Sequence, residues 1–258
     1  DNFYLEGLRL NEIFRNDFSA TYTISDADGM SFAVFDGMGG AAYGEIASEI
    51  AVQTMKKYER RLKNAEGMRA VDQIVTEFVT EANNSICDML REKNCLSGGT
   101  TFAMLYFIDG LAKLYYLGDS RIYMQDEEDL ICLTRDHTLA NQKLDAGIYT
   151  EAQAKKSADQ HRLTLYVGVD KNGLGLNADS RPPVALQPGR KFLLCTDGLV
   201  DMCSEQEIQD ILSQDYFNEA AVLVQTAVNY GGIDNVTCIV LEVIPIEEPA
   251  ELESDPML

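Results

Sequence analysis

Histidine occurs only twice in the 258 residues, and the six cysteines form no C-x-x-C pair. That supply argues against a structural zinc site, which needs clustered nitrogen and sulfur ligands. Cys87, Cys95, Cys132, Cys195, Cys203 and Cys238 read instead as small buried hydrophobes, several of them inside apolar strand-like runs. Unpaired thiols of this kind fit a reducing, cytoplasmic setting. Long hydrophobic runs are missing too: none approaches the roughly 20 residues of a membrane span. Bases are scarce, 21 against 42 acids, which leaves a formal charge of −21. Nucleic acid and anionic membranes are poor partners for such a surface. The excess acid serves solubility, or part of it is gathered to hold cations. No internal repeat and no Pro/Ser-rich linker divides the chain, so one domain over 1–245 is expected, followed by an acidic tail at 246–258, IEEPAELESDPML. The first residue is Asp1 rather than methionine, which leaves a preceding segment open.

Familiar catalytic signatures are also absent. "GMGGAAYG" (37–44) lacks the Gly-Lys-Ser/Thr of a nucleotide-binding phosphate loop, and its glycine spacing does not match a dinucleotide fingerprint. There is no G-x-S-x-G elbow and no C-x5-R loop, which argues against serine-hydrolase and thiol-phosphatase chemistry. Cys195 and Cys203 have no histidine or arginine signature nearby. His137, in "RDHT", reads as a structural or capping residue more readily than as a base.

The patterning that is present points to an α+β order. Residues 19–36 predict two strands around the Asp28-Gly29 turn, SATYTIS and MSFAVFD. Residues 41–63 and 68–93 predict two long one-sided helices, the second with Val71, Ile74, Val75, Phe78, Ala82, Ile86 and Met89 on one face. Strands follow at 100–107, 111–118 and 121–125, then a short capped helix within 133–149. Residues 151–181 show weak periodicity. A strand at 191–198, helices in EQEIQDIL and FNEAAVLVQTAVNY, and a strand at 235–244 complete the chain. Two antiparallel sheets packed together, with helices on their outer faces, satisfy this order.

One local pattern recurs. In "SFAVFDGMGG" an apolar run stops at Asp36 and glycines follow; "LYYLGDSR" places Asp119 after a strand and a glycine; "FLLCTDGL" places Asp197 before Gly198; and "GGIDNVTCIVL" places Asp234 ahead of a strand. Asp1, also followed by an apolar stretch, is a fifth. Taken singly, each reads as a turn residue. Taken together, strand ends share an edge of a packed sheet, so these acids can converge. Converged carboxylates raise one another's pKa unless cations neutralise them, and oxygen-only ligands select hard ions such as Mg²⁺ or Mn²⁺.

"FAVFDGMGG", "SGGTT", "LGDSR", "LTRDHT", "LLCTDGL" and "GGIDNVT" stand in the order found in metal-dependent protein phosphatases of the protein phosphatase 2C type, the PPM family. The chain resembles that family over essentially its whole length, and Met38, where animal members usually carry histidine, resembles the bacterial branch. The resemblance implies a four-layer α-β-β-α sandwich, two antiparallel sheets flanked by helix pairs, in a catalytic domain spanning 1–245 with a flap-like segment at 145–180. It implies two Mn²⁺ or Mg²⁺ ions bridged by Asp36. The Gly37 carbonyl would reach one ion, while Asp197 and Asp234 would complete the other. Asp119 and Asp197 resemble ligands of a third, weaker ion. Asp1 and Asn235 resemble residues that act around the metals, Asp1 mostly through water.

The implied reaction is hydrolysis of a phosphoserine or phosphothreonine phosphomonoester by a metal-bridging water, with Asp36, Asp197 and Asp234 acting through it. The implied partners are phosphorylated Ser/Thr proteins and a cognate Ser/Thr kinase, in signalling, with the enzyme a cytoplasmic monomer and neither nucleic acid nor membrane involved. Two departures stand out. The family's phosphate-binding arginine would precede Asp1, and Arg9 is on the wrong side of the motif. Met38 replaces the histidine proposed as leaving-group acid, so water or an outside group must protonate the serine oxygen. Two other readings are a phosphatase dedicated to one regulatory protein and a catalytically silent binding module of the same fold.

Overall fold

The computed structural model describes residues 1–5, 19–39, 41–95, 97–127, 129–169, 175–214 and 216–245. Arg9, Gly40 and the acidic tail lie outside the described residues. In chain order the elements are β1 (Asn2–Leu5), β2 (Ser31–Phe35), β3 (Gly37–Met38), α1 (Ala41–Lys63), α2 (Met68–Glu92), β4 (Gly99–Thr100) and β5 (Phe102–Ile108). Next come β6 (Leu111–Leu117), β7 (Arg121–Asp126), β8 (Asp129–Cys132), α3 (Leu139–Asp145), α4 (Glu151–Ala154) and a 3-10 turn (Ala158–His161). The chain continues through β9 (Asp179–Ser180), β10 (Val184–Ala185), β11 (Lys191–Cys195), α5 (Asp197–Val200), α6 (Glu205–Leu212), α7 (Glu219–Asn229) and β12 (Cys238–Glu242).

The fold is α+β with antiparallel pairing in every described ladder. One sheet has the order β1-β2-β5-β6-β10, with β9 also on β6; a second has the order β12-β11-β7-β8. Strand alternation splits each apolar run between two cores. From β5, Phe102, Met104, Tyr106 and Ile108 face α1 and α2, while Ala103, Leu105 and Phe107 meet Ile122, Met124, Phe192 and Leu194 of the second sheet. From β11, Leu193 and Cys195 turn the other way, onto Leu199, Ile208, Leu212 and Leu223 of α5, α6 and α7. Because both faces of β2 and β5 are covered, SFAVF and FAMLYFI are buried at every position. That is why these strands read as continuous apolar runs rather than as alternation.

Both long helices form where the spacing placed them, and α2 buries Val71, Ile74, Val75, Phe78, Ala82 and Ile86 as expected, with Met89 only partly covered. The expected hairpin at 19–36 does not form. Asp28 and Gly29 do make a turn, with Met30 N–H donating to Ala27 O at 3.0 Å, but residues 19–25 are not a strand. The cause is competition for edges: β2 is already paired on one side with β1 and on the other with β5. Strand β8 was not anticipated. Cys132 within it is exposed rather than buried, whereas Cys87, Cys195 and Cys203 are buried. All six cysteines are free thiols. Among the described residues no helix is long and apolar enough to cross a membrane.

Candidate metal and active site

The recurring acids meet where the two sheets are joined. Asp36 follows β2; Asp119 lies in the three-residue link, Gly118 to Ser120, that carries the chain from β6 in the first sheet to β7 in the second; Asp197 opens α5 after β11; Asp234 precedes β12. Each position is locked by backbone contacts. Asp36 N–H donates to Thr101 Oγ1 at 2.8 Å, and Asp36 O accepts from Thr101 N–H at 2.8 Å and from Thr100 Oγ1 at 2.9 Å. Thr101 Oγ1 also lies 2.6 Å from Ser120 Oγ, which ties the Asp36 end to the Asp119 link. "DGMGG" and "SGGTT" are therefore one unit: β3 pairs with β4, Gly37 opposite Thr100 and Met38 opposite Gly99.

Two glycines are required by close approach. A Cβ on Gly37 would lie 2.1 Å from Gly44 O of α1, and a Cβ on Gly198 would lie 2.0 Å from Asn235 O. No other residue fits at such separations. The second contact brings the Asp234–Asn235 loop against Asp197, leaving Asp234 and Asn235 exposed. Asp1 is placed by hydroxyls: its Oδ2 accepts from Thr196 Oγ1 at 3.0 Å and from Thr237 Oγ1 at 2.9 Å. It thus sits behind Asp197 and Asn235.

The electrostatics are those of crowded acids. Burial, reinforced by repulsion from Asp197 and Asp136, pushes the Asp119 carboxyl up to about 8. Burial, reinforced by Asp36, pushes Asp197 up to about 8. Burial also raises Asp36, with Asp119 and Asp234 adding to it, although a hydrogen bond between the Asp36 and Asp197 carboxyls works the other way. Two carboxyls hydrogen-bonded to each other share a proton. Asp197 Oδ1 is buried with no hydrogen-bond partner among the described residues. An orphaned buried lone pair in an all-oxygen set fits a hard divalent cation, which would take the place of the shared proton.

Several supporting residues carried no assignment from sequence. Arg121, in "LGDSR", donates to Asp136, in "LTRDHT", through Nε at 3.0 Å and Nη2 at 2.8 Å, a bidentate pair that links those two motifs. His137 is structural, as its context suggested: Nδ1 accepts from Gly118 N–H at 3.0 Å, Gly118 O accepts from His137 N–H at 2.9 Å, and the ring stacks on Tyr116. With Nδ1 committed as acceptor, Nε2 carries the proton that faces Asp179 Oδ2 at 3.2 Å. His137 therefore positions the Gly118–Asp119 link. Replacing it by alanine is expected to weaken, by about 10-fold, Mn²⁺ binding that depends on Asp119, read by titration of the free ion. An unchanged titration would remove that role.

Residues 145–169 of the 145–180 segment hold more local structure than their weak periodicity implied. Its helices are one turn long, too short to show a period, and they are fixed by caps at Thr150 and Ser157. Asp159 binds Lys143, Tyr149 and Arg162. The return stretch is sewn to the site loops, Thr100 to Val167 and Thr164 to His137 O. Its 3-10 turn carries His161 to Asp201 and Asp197, with His161 Nδ1 3.7 Å from Asp201 Oδ2. Nothing in the sequence pattern marked His161 or Asp201.

A family profile described as Protein phosphatase 2C matches residues 9–228. The protein phosphatase PhpP of Streptococcus pneumoniae is 32% identical over 220 residues, 84% of this chain and 86% of that protein. The serine/threonine phosphatase stp of Listeria welshimeri is 29% identical over 81% of this chain and 82% of its own. Among solved structures, the serine/threonine phosphatase of S. agalactiae superposes with a TM-score of 0.76 at 25% identity, over 84% of this chain and 88% of that one. The catalytic domain of PstP in complex with two manganese ions gives a TM-score of 0.69 at 25% identity, over 95% and 98%. The family match and these relatives, with the shared fold, define a serine/threonine protein phosphatase of the metal-dependent class. The chain belongs to the protein phosphatase 2C family, and the relatives named above are bacterial.

Proposed function

We propose that residues 1–245 act as one catalytic domain that hydrolyses phosphoserine and phosphothreonine in proteins at the Asp36–Asp119–Asp197–Asp234 edge. The observation that carries this reading is the convergence of Asp36 and Asp197, each carboxyl raised by burial and by its acidic neighbours, with Asp197 Oδ1 buried and orphaned. Asp36, with the Gly37 carbonyl, Asp197 and Asp234 would hold two Mn²⁺ or Mg²⁺ ions; Asp119 would serve a third. Ions bound there supply Lewis acidity toward phosphoryl oxygens and lower the pKa of water. Asp1 holds Thr196 and Thr237 in place, and through them the backbone beside Asp197. Asn235, whose backbone packs on Gly198, fixes the Asp234 loop.

Among the described residues, no cysteine beside the acids is placed to form a covalent intermediate. Cys195, two residues from Asp197, is fully buried, and burial lifts its thiol well above the ordinary range, so it is no nucleophile. Met38 has no proton to give, so the leaving serine oxygen is protonated from solvent. The six free thiols favour a reducing, cytoplasmic setting, where a Ser/Thr kinase would supply the substrates in a signalling pair. We read the protein as a monomer.

The test is phosphate release from phosphoserine, phosphothreonine and phosphotyrosine peptides with Mn²⁺ or Mg²⁺. Release from the first two is expected. No release from any peptide or from an aryl phosphate would leave the silent binding module. Release from an aryl phosphate with every peptide refused would favour the phosphatase dedicated to one regulatory protein.

A further inference from the structure

We propose that the cleft beside Asp136 and His137 is an anion subsite that takes an acidic side chain of the phosphoprotein substrate, with Arg181 as its charged contact. This rests on the phosphatase reading and deepens it by naming a substrate class: phosphoserine or phosphothreonine with an acidic residue close by in the peptide. The cleft has a volume of about 370 Å³ and lies between the 135–145 stretch and β9. It adjoins the catalytic edge. His137 is bonded to Gly118 in both directions, and Asp136 is near enough to Asp119 to raise its carboxyl.

The acids that line the cleft are each engaged. Asp136 is held by the Arg121 guanidinium at 2.8 and 3.0 Å, Asp145 by Arg135, and Asp179 by His137 Nε2–H at 3.2 Å. Arg181 is left over, since no ion pair among the described residues includes it. Its backbone is fixed instead: Lys113 Nζ donates to Arg181 O at 3.0 Å and to Ser180 Oγ at 3.4 Å. Lys113 is in none of those ion pairs either, so two cations without acid partners stand together at β9. In a chain with a formal charge of −21, such a pairing is a local reversal of sign.

A second feature lies at the floor of the cleft. Tyr116 is 2% exposed, and its ring stacks on His137. Its hydroxyl accepts from Arg135 N–H and from the Arg181 guanidinium. Both neighbours are donors, so the hydroxyl hydrogen is left to donate into the cleft. The Ser180 hydroxyl, which accepts from Lys113, is in the same position. A guanidinium flanked by two hydroxyl donors lacks an acceptor, and the oxygens of a carboxylate or a phosphate complete the set. Arg181 and Ser180 are exposed, so the site is open to a peptide lying across the surface toward Asp119.

The experiment measures kcat and KM with Mn²⁺, at about 0.15 M salt, for wild type, Arg181→Gln and Tyr116→Phe in the whole protein. The substrates are an aryl phosphate and phosphoserine peptides with Glu or Gln at single positions on either side of the phosphoserine. Wild type is expected to favour Glu on one side by about 5-fold in KM with kcat unchanged. Arg181→Gln should lose that preference and keep wild-type kinetics on the Gln peptides and the aryl phosphate. Tyr116→Phe keeps the ring that stacks on His137 and should lose part of the preference. No Glu preference in wild type, or one that Arg181→Gln retains, would overturn the subsite. So would an equal loss on every substrate in Arg181→Gln, because it would mark a structural arginine. Inorganic phosphate separates the other source of the same oxygens. If it inhibits aryl phosphate turnover less in Arg181→Gln, and wild type shows no Glu preference, the cleft holds a free anion and the substrate role fails. Turnover without a Glu preference sinks only this inference, whereas no turnover of any substrate sinks the phosphatase reading beneath it.

Discussion

Asparagine at position 36 is expected to lower kcat on a phosphoserine peptide by at least about 10³-fold at saturating Mn²⁺, with the fold intact. The backbone of residue 36 carries the structural bonds: its N–H and C=O are held by Thr100 and Thr101, and an asparagine keeps all of them. Its amide can still hydrogen bond to Asp197. What is lost is a charged oxygen in the middle of the acid cluster, the one group that repulsion from Asp119 and Asp234 and the bond to Asp197 all reach. The effect should therefore fall on kcat and on metal affinity together and leave the thermal midpoint unharmed. Stripping metal from wild type with EDTA should reproduce the loss, and added Mn²⁺ should restore wild type but not the variant. Near-normal turnover by Asp36→Asn, or activity that persists in EDTA, would refute the ligand assignment.

Asp36 could be found in the sequence because its surroundings are local. An apolar strand that ends at an acid beside glycine is a pattern that short-range sterics impose, and it recurs at Asp119, after Gly118, and at Asp197, before Gly198. The two long helices were legible for a similar reason, since each buries one continuous stripe. The hairpin at 19–36 misled because its turn chemistry was right and its partner was wrong. Whether SATYTIS pairs depends on β1, near the start of the chain, which takes that edge of β2 first. The supporting shell was hidden by distance along the chain. Thr101 with Ser120, Arg121 with Asp136, and Asp1 with Thr196 are pairs separated by 19, 15 and 195 residues. His161 was the least visible: it sits in one-turn helices with no period, and only the fold brings it to Asp201.

The crowded acids also set how the metal-free protein responds to pH, and the sign is opposite to that of an ordinary salt-bridged carboxylate. In the folded chain Asp119 and Asp197 titrate at about 8, against an ordinary value of 3.8. Between those values the folded state holds protons that the unfolded chain has released, so stability is highest at the acid end of the window and falls as pH rises toward 8. One such carboxyl followed from pH 5 to pH 8 costs about 4 kcal/mol, at about 1.4 kcal/mol per pH unit. For a chain of this size that is a drop in Tm of about 10 °C. In EDTA, thermal melts should therefore lose stability steadily from pH 5 to pH 8. Asp197→Asn should flatten the slope and raise Tm at pH 8, because it removes one of the two repelling charges while abolishing turnover. With saturating Mn²⁺ the slope should reverse in wild type, since deprotonated carboxylates bind the ion more tightly as pH rises. A metal-free Tm that climbs from pH 5 to pH 8 would mean that these carboxyls are not crowded. The acids at the ends of β2, β6 and β11 would then be turn residues after all.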